Sequence, residues 1–261
     1  MKKQSIANLK QLFRTDNIDD KLLQELKKDN RKGVQMLIEG YEKQKIKEQA
    51  LELAFEEMCF YENHHYASGC RYIAGVDEAG RGPLAGPVVA AAVILPQDFR
   101  LIGLNDSKQL NETQRNAFFT IIKENAVSFG ISIVTNQQID DINILEATKL
   151  AMRDAISQLN PIADHVLIDA VELDGLTCSS EAIIKGDSKS ISIAAASVLA
   201  KVTRDRIMKD IHTEYPVYDF QSNMGYGTKH HMDNLKKYGA SPYHRESFSP
   251  VRNVMLDDIN E

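Results

Sequence analysis

Long apolar runs are missing from this 261-residue chain: no stretch approaches the roughly 18 consecutive apolar positions that a membrane span needs. The opening MKKQSIANLKQLF has too little continuous apolar length after its basic residues for a secretion signal, so the chain is expected in the cytoplasm with no membrane partner. Cysteine is scarce. Cys59, Cys70 and Cys178 are odd in number and never form a C-x-x-C pair, which excludes a disulfide framework and a zinc–cysteine cluster and leaves them as packing residues. Internal repeats and low-complexity tracts are absent too. What remains is ordinary for a globular protein, with 43% hydrophobic and 26% charged positions and a mean hydropathy of −0.33. The length allows one domain with an appendage, or two modest domains.

A net charge of −6 at first disfavours a nucleic-acid partner, but the charge is segregated. Residues 1–47 carry a net of +5 and residues 197–245 a net of +3 with four histidines besides, whereas residues 48–196 carry −11. An acidic centre with basic flanks suits an enzyme that collects divalent cations in one place and grips a polyanion beside it. Solvated helix faces would give the same counts.

The first sixty or so residues read as helical throughout, with Ile6, Leu9, Leu12 and Phe13 after Ser5, Leu22, Leu23 and Leu26 after Asp19, and Val34, Leu37, Ile38 and Tyr41 leading into a long charged stretch. The polar, aromatic patch from Tyr61 to Gly69 reads as a linker. Beyond it, YIAGVDEA, VVAAAVIL, VSFGISIV, HVLIDA and AIIKGD read as strands. Between them lie amphipathic helices, one capped by Asn111 with Gln114, one by Asn143 with Glu146, and a long one over SISIAAASVLAKVTRDRIMKDIH. Strands alternating with helices predict an α/β domain. The expected division is 1–66 as a helical N-terminal extension and 67–261 as the main domain.

The acids fall where apolar strands run out. Asp77 and Glu78 end one, Asp169 ends HVLID, and Asp187 follows AIIKG. A carboxylate buried there without a partner is expensive, and a hard divalent cation taking oxygen ligands is the economical explanation. Two such ions flanking a phosphate would activate a water and stabilise the leaving oxygen, with no Ser, Cys or His nucleophile required. For Asp187 taken alone, a cap or surface turn explains the residue as well. Because neighbours along a strand point to opposite faces, Glu78 must reach a shared ion by a bend. Gly80-Arg81-Gly82 follows at once: a glycine turn lets backbone N–H groups approach an anion, and the arginine can fork onto phosphate oxygens, although a turn between two strands accounts for the glycines equally well.

VDEAGRGPLAGPVVAAAV resembles the signature of the type 2 ribonucleases H, and the likeness continues through LNDSKQL, LIDA, KGDSKSISIAAASVLAKVTRD and GYGTKHH, over roughly residues 72–245. The resemblance implies a ribonuclease H-like fold, a mixed five-stranded sheet flanked by helices. It implies hydrolysis of the RNA strand of RNA–DNA hybrids and cleavage 5′ to ribonucleotides embedded in duplex DNA, giving 3′-hydroxyl and 5′-phosphate ends and serving ribonucleotide removal. The family's four metal-binding acids match Asp77, Glu78, Asp169 and Asp187, with Mg²⁺ or Mn²⁺ as cofactor. Its junction-reading Gly-Arg-Gly matches Gly80, Arg81 and Gly82, and its sugar-stacking tyrosine matches Tyr226. Asp187, Arg81 and the helical N-terminus favour type 2 over the related type 3 enzymes, which usually carry Glu and Lys at the corresponding positions and a strand-containing N-terminal domain.

Lys108 and Lys185, each within two residues of an acidic turn, are candidate phosphate contacts. His230 and His231 read as surface residues of an amphipathic helix, and SPYHRESFSPV, holding His244 and Arg245, as either a strand-gripping loop or a turn. The tail VRNVMLDDINE lacks a closing pair of aromatics, so no sliding-clamp contact is expected from that end. The partners expected are RNA–DNA hybrid and ribonucleotide-containing DNA, with the protein a monomer needing no obligate protein partner. The rival readings are a binding module whose acids hold a structural cation, and an integrase- or exonuclease-type relative.

Overall fold

The computed structural model describes residues 4–15 and 18–260, the last four of these by backbone alone. The tail on which the clamp expectation rests therefore ends outside the described side chains. By contacts the chain divides into two compact units, Met1–Ala54 and Phe55–Glu261.

In the first unit, α1 (Ile6–Arg14), α2 (Asp20–Leu26) and the start of α3 (Lys32–Met58) bury Leu9, Leu26, Val34 and Ile38 against one another. Ser5 and Asp19 cap the two short helices by accepting from the Asn8 and Leu22 N–H groups.

The second unit is built on a five-stranded sheet in the order β3-β2-β1-β4-β5, from β1 (Ile73–Ala79), β2 (Val88–Ile94), β3 (Ser128–Val134), β4 (His165–Asp169) and β5 (Ser179–Ile183). β2 runs antiparallel to β1 and β3, while β1, β4 and β5 are parallel, giving the mixed sheet expected. The residues expected to be a linker form α4 (Phe60–Ala67) instead. Three expected elements are α5 (Glu112–Asn125), α6 (Asn136–Ser157) and α7 (Ile191–Glu214), and α8 (Phe220–Asn223), α9 (Lys229–Tyr238) and α10 (Ser249–Asn260) complete the unit. No described helix is long and apolar enough to cross a membrane.

Register separates two faces. Ile73, Gly75 and Asp77 of β1 share a face with His165, Leu167 and Asp169 of β4, and α7 covers it. Val76 and Ile168 point to the other face, which packs on α6 through Ala147, Ala151 and Met152. α7 lies very close to the sheet, because its small residues Ala194, Ala195 and Ala196 are fully buried and Gly75 beneath has no side chain; a Cβ there would meet the Ser192 carbonyl carbon at 2.0 Å.

Two elements differ from the sequence reading. β5 is SSEAI rather than AIIKGD: the chain leaves the sheet at the exposed Ile184 and turns through Lys185, in the left-handed region at φ 57°, into a 3₁₀ turn at Gly186–Ser188. α6 starts seven residues before Asn143, at a capping box of Thr135 and Gln138, and kinks at Asn143, whose side chain still accepts from the Leu145 and Glu146 N–H groups at 3.0 and 3.2 Å.

The N-terminus of α7 is held from α4. Buried Glu62 accepts from the Ser190 hydroxyl at 2.6 Å and from the Ser192 N–H at 2.9 Å, while Ser190 caps the Ile193 N–H. Burial raises the Glu62 pKa. Glu62→Ala, which strands two buried donors, is expected to cost about 1–3 kcal/mol, and Glu62→Gln much less. Accordingly, a chain beginning at Phe55 should keep the melting temperature of the main transition and one beginning at Ala67 should lose several degrees. Equal melting of the two by circular dichroism would refute the role given to Glu62.

Candidate active site

The ends of β1 and β4 and the turn after β5 converge under α7. Asp77, Asp169 and Asp187 each offer a carboxylate oxygen, all within 4.8 Å of one another. Asp169 is fixed by the Gly186 N–H, which donates to its Oδ1 at 2.7 Å and so ties the β5 turn to the end of β4. Asp77 is 4% exposed and Asp187 7%. Glu78 lies beside this set rather than within it: following Asp77 in an extended strand, it starts toward the opposite face, and its Oε1 meets Arg81 Nη1 at 3.4 Å. Its Oε2 is buried and has no hydrogen-bond partner.

The set is electrostatically uncomfortable. Burial, then the charges of Glu78 and Asp169, hold the Asp77 carboxyl well above the usual carboxylate range. Burial also raises Glu78, with Arg81 opposing and Asp169 adding to the shift. Asp187 is pushed up to about 6 by burial and by Asp106 and Asp169, against the pull of Lys108. Only Lys108 Nζ, at 4.0 Å from Asp187, and Arg81 bring positive charge among the described contacts of these acids. Burial works against the Lys108 charge, yet Asp106, Asp187, Asp77 and Asp169 outweigh it and raise its pKa. Oxygen donors this close, with an orphaned carboxylate oxygen beside them, fit a hard divalent cation.

Next to the acids opens a cavity of about 440 Å³ lined by Glu78, the Gly80–Gly82 turn, Lys108, Lys201 and Tyr226 among others. Gly80 has a φ of +102°, and a Cβ there would meet Arg204 Nε at 2.2 Å. The half-exposed Tyr226 ring stands over Gly82, 3.5 Å from where a Cβ would lie. Arg81 and Gly82 are exposed. Glu78, Gly80, Arg81, Gly82, Lys108 and Tyr226 thus line one opening, and the cluster of Asp77, Asp169 and Asp187 lies beside it. Lys185 stands apart: its backbone forms the turn before Asp187 and its side chain is exposed.

Several residues that hold this site were missed in the sequence. Arg245 is fully buried and donates to the carbonyls of Gly80 (2.5 Å), Arg81 (3.0 Å) and Gly86 (3.0 Å), so it neither grips from a loop nor merely fills a turn. Arg204, 1% exposed, donates to Ala85, Pro87 and Met224 carbonyls. Burial lowers their pKa values to about 9 and about 10 respectively, still charged at neutral pH. His231 is not at the surface as expected; it is wholly buried, sharing a hydrogen bond at 2.9 Å with His244 and another at 2.9 Å with the Tyr226 carbonyl. His230 is exposed. Asp106, beside Asp187, sits within the LNDSKQL motif but drew no notice as a single acid.

An acid cluster at the adjoining ends of parallel strands, in a mixed sheet of this order, defines a ribonuclease H-type hydrolase. The sequence profile of ribonuclease HII matches residues 74–251, and that of the ribonuclease HII N-terminal domain matches residues 5–66. The ribonuclease HII of Oceanobacillus iheyensis is 57% identical over 251 residues, 96% of each chain, and that of Listeria innocua 55% identical over 237 residues, 91% of this chain and 90% of its own. The crystal structure of ribonuclease H2 from Pyrococcus horikoshii superposes with a TM-score of 0.64 at 26% identity, over 73% of this chain and 100% of that one. The chain belongs to the ribonuclease HII family.

The charge repulsion makes a testable demand on the metal-free protein. Because the folded Asp187 binds its proton up to about pH 6 and the unfolded one only to about 3.8, its ionisation removes stability as pH rises through that window. With chelator present, Asp187→Asn should melt like the parent near pH 4 and a few degrees higher at pH 7.5, about 1–2 kcal/mol after allowing for solvent. A variant less stable than the parent at pH 7.5 would show that Asp187 is not held against repulsion.

Proposed function

We propose that this ribonuclease H hydrolyses the RNA strand of RNA–DNA hybrids and cleaves on the 5′ side of ribonucleotides embedded in duplex DNA. The products are 3′-hydroxyl and 5′-phosphate ends, and the role is removal of ribonucleotides from DNA in the cytoplasm. The observation that carries the reading is the cluster of Asp77, Asp169 and Asp187, the first and last of them buried, beside the cavity lined by Glu78, the Gly80–Gly82 turn and Tyr226.

Asp77, Asp169 and Asp187, with Glu78 at their side, would hold Mg²⁺ or Mn²⁺, hard cations that prefer oxygen. A bound pair of such ions would supply activation of a water and charge stabilisation for the leaving oxygen. The chain's own side chains position the substrate. Arg81 is exposed and only loosely tied to Glu78, so its guanidinium can turn onto phosphate oxygens. The Gly80–Gly82 turn, its carbonyls engaged from behind by Arg245, leaves its outer edge for the ribose 2′-hydroxyl and adjoining phosphates. The Tyr226 ring over Gly82 offers a flat surface for the next deoxyribose. Lys108 and Lys185 supply positive charge to flanking phosphates. The helical region before residue 67, with its net of +5 over residues 1–47, adds affinity without chemistry, and the protein works as a monomer with no obligate protein partner.

Duplex DNA carrying one ribonucleotide tests this. Cleavage should require Mg²⁺ or Mn²⁺ and fall on the order of a thousandfold, about 4 kcal/mol of barrier, in Asp77→Asn, with hybrid binding retained. In Arg81→Ala, KM should rise and the salt dependence of binding flatten. Asp77→Asn activity within about tenfold of the parent would overturn the assignment of the acids.

A further inference from the structure

At the other end of the face that carries the acids, two imidazoles and a carboxylate come together. His65 of α4, His165 at the start of β4 and Glu181 of β5 each offer a ligand atom, all within 4.8 Å of one another. The two rings stack with centroids 3.6 Å apart and planes 23° from parallel, and Glu181 Oε2 lies 3.5 Å from His65 Nε2. His165 is 5% exposed, and its Nε2 is buried with no hydrogen-bond partner; the Nε2 of His65 is likewise buried and makes no hydrogen bond, Glu181 reaching it only as a longer ion-pair contact. A buried nitrogen without a hydrogen bond is costly, so two facing one carboxylate require an explanation.

We infer that His65, His165 and Glu181 form a second cation site, distinct from the acid cluster and suited to a borderline transition-metal dication of the Zn²⁺ class. Imidazole nitrogens with one carboxylate are a donor set for Zn²⁺ rather than for Mg²⁺, which demands oxygen. The Nδ1 of His165 shares a hydrogen bond at 2.7 Å with the Ser179 hydroxyl. With that nitrogen donating its proton to Ser179, Nε2 is left with a free lone pair, the arrangement by which an outer hydrogen bond orients a ligating histidine. Bonds of about 2.0–2.1 Å hold tetrahedral donors about 3.4 Å apart, so closing the set needs a movement of about 1 Å. Exposed Glu181 is free to make it.

The site lies four residues along β4 from Asp169, on the order of 13 Å away, too far to share an ion with the acids. It joins α4 to two strands, and Glu181 leaves one coordination position toward solvent for water. Its role is a staple: it fastens the helix whose Glu62 holds the N-terminus of α7. The two sites sort metals by ligand chemistry, hard ions to the carboxylates and borderline ions to the imidazoles.

The test is calorimetric titration of the full chain with Zn²⁺ in excess Mg²⁺, which occupies oxygen-only sites. One equivalent should bind and raise the melting temperature. Binding should persist in Asp169→Asn and in His64→Ala, the exposed neighbour, and weaken at least about tenfold in His65→Ala and Glu181→Gln. His165→Ala opens a cavity in the sheet, so the two variants nearer the surface carry the test. Unchanged Zn²⁺ binding in both, or loss of binding in Asp169→Asn alone, would overturn the proposal.

Discussion

Repulsion among Asp77, Asp169 and Asp187, gathered within 4.8 Å with Asp77 and Asp187 buried, is the constraint around which the second unit is arranged. Left alone, such carboxylates would swing apart or keep their protons. Each is prevented from moving by a different device. Asp77 sits on a central strand with paired neighbours on both sides, Asp169 is tied by the Gly186 N–H, and Asp187 rides on a 3₁₀ turn between that glycine and α7. Above them α7 is locked down on Gly75, and its first turn is held by Glu62 and Ser190.

The cationic half of the site is built in the opposite way. Arg204 and Arg245 are buried charges whose described hydrogen bonds all go to backbone carbonyls. Pulling the Gly80, Arg81, Ala85 and Pro87 carbonyls inward fixes the turn while leaving the Arg81 side chain exposed, touching Glu78 alone among the described ion pairs. The His231–His244 pair plays the same part for the Tyr226 backbone; burial and the neighbouring His231 lower His244 to about 4, so the pair is neutral under ordinary conditions. Preorganised backbone, rather than mobile side chains, therefore frames the opening beside the acids.

The strands bearing the acids were legible because carboxylates at the ends of apolar runs break a burial pattern. The glycine turn with Arg81 and Gly82 stood directly beside them, and family resemblance then joined Tyr226 across some 150 residues of chain, which no local pattern does. What escaped notice had no local signature. Ser179–Ile183 is a polar, mostly exposed edge strand, and the apolar Ala182, Ile183 and Ile184 at its end drew the strand expectation to residues 182–187, three residues late at its start and four too far at its end. Glu62 and Arg204 look like ordinary surface charges, and Arg245 stood out only as part of a loop or turn, since only tertiary packing reveals which side chain of such a segment is buried. The Thr135 and Gln138 box could have been read, and was masked by the stronger cap at Asn143.

Whether the acid cluster is a cation site held against its own charge can be read from the protein's stability with and without metal. Asp169→Asn keeps the oxygen that accepts from Gly186 but removes one negative charge, so it separates electrostatics from hydrogen bonding. Thermal melts at neutral pH, with chelator and then with Mn²⁺, should show the parent gaining several degrees from the ion. The variant should start higher than the parent without metal and gain almost nothing. A variant that starts lower, or that gains as much from Mn²⁺ as the parent does, would contradict a cation site held against its own charge.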